Sequence, residues 1–333
     1  MEHQTWTAER ILQTSGAYWA TCALHAAVAL DVFTHIGGGR VGGADLARRL
    51  DASQDALIRL LDAVVAMGLL SKDDAGYANT EASRQYLCAD SERYLGYIIR
   101  HHHHLVGSWA RLPEAVRSGR PVRLPAREKG VAEREAFLMG MFNLAMQLAP
   151  QLVPVVDLGG RRRLLDLGGG PGTYAIHFCR RYAELEATVL DLPTTQPFAV
   201  DTIRRMGMAE RVAFTPGDYL HDAIPGGFDA VWMSHILHGE AQDDCRAIIA
   251  KAFGCLEPGG VAVIHEFILD DGLDGPLFPA LFSLNMLLGT DGGRAYSQAQ
   301  LTRMLSDAGF VNVQRLAFSG PNDSGLISGF KPE

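Results

Sequence analysis

Cysteine is scarce and scattered. The 333 residues contain only Cys22, Cys88, Cys179, Cys245 and Cys255, an odd number with no CxxC pair. That excludes a disulfide framework and a structural zinc as organising devices, and free thiols in a reducing cytoplasm are the expectation. Positive charge is also short: 30 Lys and Arg stand against 38 Asp and Glu, a formal net charge of −8. Phosphate backbones need a basic face, so no nucleic-acid partner is expected. No continuous apolar run approaches the ~20 residues that span a bilayer. The opening MEHQTWTAER lacks a basic stretch followed by an apolar core, so neither a signal peptide nor a membrane partner is expected. What remains is 47% hydrophobic and 20% charged, ordinary for a globular protein and long enough for two domains.

Glycine is not scarce, and it clusters in the stretch that organises the rest. Residues 163–192 read RLLDLGGGPGTYAIHFCRRYAELEATVLDL. A short apolar run enters a turn at Gly168, Gly169, Gly170 and Gly172. A helical pattern follows, and a second apolar run ends on Asp191. Strand, glycine turn, helix, strand and acid make the first βαβ unit of a nucleotide-binding sheet. Glycine turns of this kind also occur for steric reasons alone, so the spacing has to discriminate. It is GxGxG rather than the GxGxxG usual for a pyrophosphate, and Asp166 sits two residues before the first glycine. A carboxylate there repels phosphate and suits a cation, which favours S-adenosylmethionine (SAM).

The remainder divides around that unit. Residues 9–35 are helical and apolar nearly all round, a pattern that needs cover from a second subunit or from its own domain. Residues 44–50 and 54–67 read as two helices around a turn at 51–53, with Leu57, Leu60, Leu61, Val64 and Val65 facing inward. A strand at Leu69 and Leu70, a turn at 72–76 and a return strand at 77–79 complete a winged helix. Its second helix carries Gln54, Asp55, Arg59 and Asp62, and its wing Lys72, Asp73 and Asp74. That balance disfavours DNA and points to a structural, dimer-forming use.

Residues 91–158 are helical apart from a loop at 118–130. They include a run of four histidines, His101 to His104, which cannot all face one metal on a helix. From 161 onward strands and helices alternate. The strands are expected at 212–214, 228–234, 261–267 and 311–318, with a closing antiparallel edge strand at 324–330. The fold class is α/β: a C-terminal Rossmann-like domain behind a mostly α-helical winged-helix domain. The expected division is 1–100, a helical linker and pocket segment at 101–158, and 159–333.

Ligands of an open parallel sheet bind off the carboxyl ends of its strands. That rule selects Asp166, Gly168, Gly170 and Gly172 after the first strand, Asp191 and Leu192 after the second, and Asp218 and Tyr219 after the third. Asp218 could accept from an adenine amino group. Ser234, His235 and His238 follow the fourth strand, and Glu266 ends the fifth. A His beside a Glu makes a general base with an orienting partner. A helix-capping His238 with a solvated Glu266, or a metal held by His235, His238 and Glu266, are the alternatives. His104, Phe142, Met146, His235, Asn285 and Met286 are candidate substrate-pocket residues.

Taken together these motifs are similar to the SAM-dependent O-methyltransferases of the caffeate, acetylserotonin and bacterial polyketide type. The resemblance runs over LLDLGGGPG, LDLP at 190–193, GDY at 217–219, LEPGG at 256–260 and GGR at 292–294. It implies homodimerisation through the N-terminal domain, SAM as methyl donor, S-adenosylhomocysteine as product, no metal and a small aromatic acceptor. His238 takes the position of the family's base and Glu266 that of a flanking glutamate, for an in-line displacement at the methyl carbon. Three positions depart from the pattern. Gly239-Glu240 replaces the Asp-Trp after the base, Ser234 replaces a lysine near SAM, and Ala295 replaces a second glutamate. C- or N-methylation, SAM binding without transfer, and a ligand-sensing regulator are the other readings.

Overall fold

A computed structural model describes residues 5–124 and 130–333. The chain forms two compact units, one of residues 1–106 with 135–143 and one of 107–134 with 144–333. The stretch 125–129 of the expected 118–130 loop lies outside the described residues.

The first unit opens with α1 (Ala8–Gly16), α2 (Tyr18–Ala29) and α3 (Val32–Ile36). Thr7 caps α1 by accepting the Arg10 N–H at 3.2 Å, yet α1 buries no residue. Next come α4 (Gly43–Arg49) and α5 (Gln54–Ala66). The hairpin β1 (Leu70–Asp73) and β2 (Gly76–Asn79) and then α6 (Glu81–Tyr86) follow. Leu57, Leu61 and Val64 of α5 are buried against Leu46, Leu70 and Tyr77, while Leu60 and Val65 border that cluster half-buried. Each fully buried aliphatic contributes roughly 1.5–3 kcal/mol. The charges on the exposed face pair with one another: Arg59 with Asp55 at 2.6 Å, and Lys72 with Asp62 at 2.7 Å. α7 (Gly96–Trp109) carries the four histidines, which fan out as helical geometry requires. The His101 ring meets Phe137 and the His103 ring meets His25 edge-on.

α8 (Leu112–Ser118) belongs to the second unit, and α9 (Val131–Leu152) contributes residues to both. By length and composition alone the helical stretch Val131–Val155 is apolar enough to cross a membrane, with a mean hydropathy of 1.3 in its most apolar window, 33% of which is buried. It is not a continuous apolar run. Gly140, Asn143, Gln147 and Pro150 interrupt the run, so a search for unbroken apolar sequence passes over it.

The sheet of the second unit comprises β3 (Arg163–Leu167), β4 (Glu186–Asp191), β5 (Val212–Pro216), β6 (Phe228–Ser234) and β7 (Leu256–Leu269). It is completed by the two-residue β8 (Tyr296–Ser297), by β9 (Val311–Arg315) and by β10 (Ser324–Phe330). Their order is β5-β4-β3-β6-β7-β10-β9, with β8 beside the end of β7. The helices are α10 (Thr173–Arg181), α11 (Gln196–Arg205), α12 (Gln242–Cys255), α13 (Leu277–Gly289) and α14 (Gln298–Asp307). Two apolar clusters sandwich the parallel strands, one around Met233 and Ile264 and one around Trp232 and Val263. Both faces of the central strands are therefore covered, as parallel sheets require.

Two details differ from expectation. β10 is antiparallel but lies between β7 and β9, so β9 is the edge. Burial of nearly all of β10 agrees with an interior strand, whereas β9 is largely exposed. The Glu-Pro-Gly-Gly segment at 257–260 falls inside β7 as an irregularity rather than before it. Pairing with β6 shifts there from Phe228↔Leu256 to Ala230↔Val261.

Candidate active site

β3 delivers the chain into the glycine turn. The Gly168 N–H donates to the Leu190 carbonyl at 2.8 Å, which ties the turn to the neighbouring strand. Gly168 has φ +66, and a β-carbon there would lie 2.5 Å from Ile236 Cγ2 and 3.2 Å from the Tyr219 ring. Only glycine fits. Gly170 is also left-handed, at φ +53, but faces open space. Gly172, at φ +78, is the residue from which α10 starts. The turn thus offers bare backbone at a helix N-terminus.

Asp166 lies under this turn. A β-carbon on Gly169 would lie 2.5 Å from the carboxyl carbon of Asp166, whose Oδ2 accepts the Ala175 N–H at 3.3 Å. Asp166 is 1% exposed, and Oδ1 has no partner among the described residues. Burial pushes this carboxyl up to about 7, with Asp191 adding to the rise and the Ala175 N–H opposing it. Its direct reach toward a ligand rests on Oδ1 alone. Asp191 stands at the rim of the turn. Oδ2 accepts the Gly170 N–H at 2.8 Å, and Oδ1 accepts the Leu192 N–H and the Thr195 hydroxyl at 2.7 and 2.9 Å. Leu192 beside it is exposed. Asp218 holds its own turn by accepting the Leu220 N–H at 2.9 Å, and the Tyr219 hydroxyl donates to Glu240 Oε1 at 3.0 Å. Residues after three different strands therefore converge around one backbone cradle.

Next to it lies a second constellation. The residues after β6 form one turn of 3-10 helix, Leu237–Gly239, which carries His238. Glu266 of β7 is 2% exposed. Its Oε1 accepts the N–H groups of Leu237 and His238 at 3.0 and 3.2 Å, and its Oε2 meets His238 Nδ1 at 2.7 Å. Burial alone would raise this carboxyl, but the His238 and His235 rings outweigh it and hold Glu266 well below the usual carboxylate range. An ionised Glu266 places the proton of His238 on Nδ1 and leaves Nε2 as the basic atom. His235 Nδ1 lies 3.5 Å from the same Oε2. The three ligand atoms of His235, His238 and Glu266 lie within 4.8 Å of one another, a set that could also hold an ion.

Ser234 Oγ lies 2.9 Å from Nδ1 of the fully buried His265, so the residue in the lysine position is engaged from behind. Asn285 and Met286 are both largely buried on α13. Asn285 Oδ1 accepts from Arg123 Nη1 at 3.2 Å, and its carbonyl accepts from Nη2 at 3.2 Å. Met146 Sδ contacts His177 Nε2 at 3.4 Å. His104 and Phe142 belong to the first unit, whereas the glycine turn and His238 belong to the second.

Several residues of this site escaped the sequence reading. Phe282 meets the His238 ring edge-on at 4.7 Å between centroids, and Phe267 packs at 4.8 Å from Phe282 and 4.9 Å from Phe278. The i, i+4 spacing of Phe278 and Phe282 is the one sequence signal that points to this wall, and it depends on placing α13. Gly292 and Gly293 were noted only as a motif. A β-carbon on Gly293 would lie 2.6 Å from the His238 carbonyl and 2.7 Å from that of Gly239, so this glycine lets the chain back onto the base turn. Ala295 is buried, with its N–H donating to Ser283 Oγ, which leaves Glu266 as the carboxylate beside His238.

Comparison with known proteins agrees with this geometry. Residues 12–89 match the O-methyltransferase dimerisation domain, and residues 109–311 match the O-methyltransferase domain. The chain is 35% identical over 319 residues to a 3-hydroxy-5-methyl-1-naphthoate 3-O-methyltransferase of Streptomyces sahachiroi, covering 94% of this chain and 92% of that protein. It is 34% identical over 330 residues to the tetracenomycin polyketide synthesis 8-O-methyltransferase of Streptomyces glaucescens, covering 97% and 96%. The crystal structure of human N-acetylserotonin methyltransferase in complex with SAM superposes with a TM-score of 0.87 at 26% identity, over 100% of both chains.

Proposed function

Because this chain belongs to the SAM-dependent O-methyltransferases that carry an N-terminal dimerisation domain, we propose that it methylates a hydroxyl of a small aromatic, polyketide-like metabolite with His238 as general base. The observation that carries the reading is the 2.7 Å contact between His238 Nδ1 and the buried Glu266 carboxylate.

The glycine cradle fits SAM. It leaves no room for a β-carbon at Gly168, it presents backbone at a helix N-terminus, and beneath it lies the unpartnered Asp166 Oδ1. Gly168, Gly170, Gly172, Asp166, Asp191, Leu192, Asp218, Tyr219 and Ser234 would hold it. When bound, SAM supplies a methyl carbon on a positively charged sulfur, the electrophile that an activated oxygen needs. This chain's residues do the rest. His238 Nε2 takes the proton from the acceptor hydroxyl, and Glu266 stabilises the resulting imidazolium through Nδ1–H. Base catalysis of this kind contributes about 10²–10⁴-fold, and holding two reactants in register contributes more. Phe267, Phe278 and Phe282 give the base an apolar surround suited to a flat ring.

Residues 1–100 serve as the homodimerisation domain in this reading. Trp6, Ile11, Leu12, Tyr18 and Trp19 are exposed on and beside α1 and α2, an apolar surface that a second copy would cover. The segment 101–158 is read as a helical linker whose Met146, in the second unit, is a candidate pocket residue. We read the contact between His238 and Glu266 as proton-bridged, so the reaction needs no metal. Five unpaired cysteines suit a cytoplasmic enzyme, and a formal net charge of −8 suits one without a nucleic-acid partner. Incubation with SAM and a phenolic panel tests the function: the product is one methyl heavier, with the new methyl on oxygen by NMR.

A further inference from the structure

The base turn holds an imidazole that proton abstraction does not use. His235 follows β6 directly and has a left-handed backbone, φ +55. Histidine is among the non-glycine residues enriched in that conformation, so the turn accommodates the imidazole. The ring is fixed by its surroundings. It packs 4.3 Å from His265 and 4.3 Å from Phe267, and the His235 N–H donates to the His265 carbonyl at 2.8 Å.

Its nitrogens are distinguished by Glu266. Oε1 of that carboxylate is taken by two backbone N–H groups, while Oε2 faces Nδ1 of His238 at 2.7 Å and Nδ1 of His235 at 3.5 Å. At 2.7 Å the carboxylate holds the proton of His238 on Nδ1; at 3.5 Å its charge still faces Nδ1 of His235 and favours the same tautomer there, with a lone pair on Nε2. Nδ1 of His235 is buried and makes no hydrogen bond among the described residues, with Glu266 Oε2 at 3.5 Å facing it, yet the side chain keeps 24% of its surface exposed. The exposed part of the ring is therefore the part away from Nδ1. At 3.5 Å, Glu266 supports a positive His235 less well than a positive His238. The neighbouring imidazoles of His238 and His265 oppose a charge there as well. His235 is thus an acceptor of hydrogen bonds rather than a second proton carrier.

We infer that His235 Nε2 accepts a hydrogen bond from a second hydroxyl of the aromatic substrate, vicinal or meta to the hydroxyl that His238 deprotonates. The substrate class is narrowed accordingly: polyhydroxylated rings, in preference to rings with one isolated hydroxyl. This rests on the reading of His238 as the base, and it makes His235 a specificity-determining residue.

The test is calorimetric titration of the S-adenosylhomocysteine complex with a naphthol and with its vicinal and meta diols. Turnover of the same three compounds is measured with SAM. The wild type binds at least one diol about tenfold more tightly than the naphthol, the gain from one added hydrogen bond of ordinary strength. His235→Phe keeps an aromatic ring, removes the acceptor and brings that ratio to about one. His235→Asn, suited to the left-handed backbone but too short to reach as Nε2 does, gives the same loss while retaining S-adenosylhomocysteine affinity. His235→Gln restores an acceptor near the Nε2 position and recovers part of the preference. Equal binding of all three compounds by the wild type, binding of none, or an unchanged preference in both His235→Phe and His235→Asn overturns the inference. Preferential binding of a diol without a methylated product would instead overturn the O-methyltransferase reading and leave the role of His235 standing. Equal methylation of all three compounds does the reverse.

Discussion

Glu266 meets Nδ1 of His238 at 2.7 Å from a strand position where its carboxylate is almost wholly buried. The same carboxylate holds two backbone N–H groups of the base turn. One side chain thus fixes the fold of the turn, the tautomer of the base and the charge that compensates the imidazolium.

Replacing that carboxylate by its neutral isostere separates these tasks. Glu266→Gln keeps an oxygen for the backbone donors but no longer enforces the tautomer or balances the positive ring. Turnover is expected to fall by about 10²-fold or more, with SAM affinity changed by less than about threefold. Steady-state kinetics alongside calorimetry measures both quantities. Parallel losses in binding and turnover would mean that the residue is structural only.

Two of the three left-handed glycines of the cradle give opposite expectations. Gly168→Ala must push Ile236 and Tyr219 aside as well as strain φ, and SAM affinity should drop by about 100-fold or more, on the order of 3 kcal/mol. Gly170→Ala meets nothing within 4 Å and bears only the backbone cost, roughly 1–2 kcal/mol. Titration of both variants with SAM ranks them, and the reverse order would contradict the cradle geometry.

Asp166 predicts a pH dependence of the ligand-free protein. Burial raises its carboxyl from 3.8 to about 7. The folded value lies above the unfolded one, so the native state holds the proton more tightly. The associated stability is present below the unfolded value and is lost as the pH rises through about 7. Glu266 is shifted the other way, so its contribution is lost only in strong acid and does not enter this window. Thermal unfolding from about pH 5 to about pH 8 should show a falling Tm that Asp166→Asn makes shallower. An identical slope in that variant would remove Asp166 as the cause.

The exposed apolar residues of α1 and α2 bear on assembly. Leu12 and Trp19 are 71% and 70% exposed, and changing both to Ser should weaken self-association by at least about tenfold. Sedimentation velocity over a dilution series reads this directly, and an unchanged dimer would place the interface elsewhere.

The parts of this molecule that were legible in its sequence are those with local causes. Gly168, Gly170 and Gly172 announced a turn because left-handed backbone and close approach demand glycine. The acids and histidines at strand ends could be ordered by topology alone. What stayed hidden depends on contacts between distant segments. The Phe278 and Phe282 wall needs α13, whose thirteen residues are apolar but for Ser283 and Asn285 and carry Pro279 inside, so no clear amphipathic period reveals the helix. The interior place of β10 depends on β9 reversing beyond it. The left-handed backbone of His235 follows from the turn that brings His238 to Glu266, and nothing in the local sequence demands it.

The most direct test of the central claim is turnover by His238→Ala, followed by mass spectrometry with a phenolic acceptor and with SAM affinity measured on the same sample. The account predicts turnover reduced by about 10³-fold, with SAM binding within about twofold of the wild type. Near-normal formation of the methylated product by a variant that lacks the imidazole would contradict it.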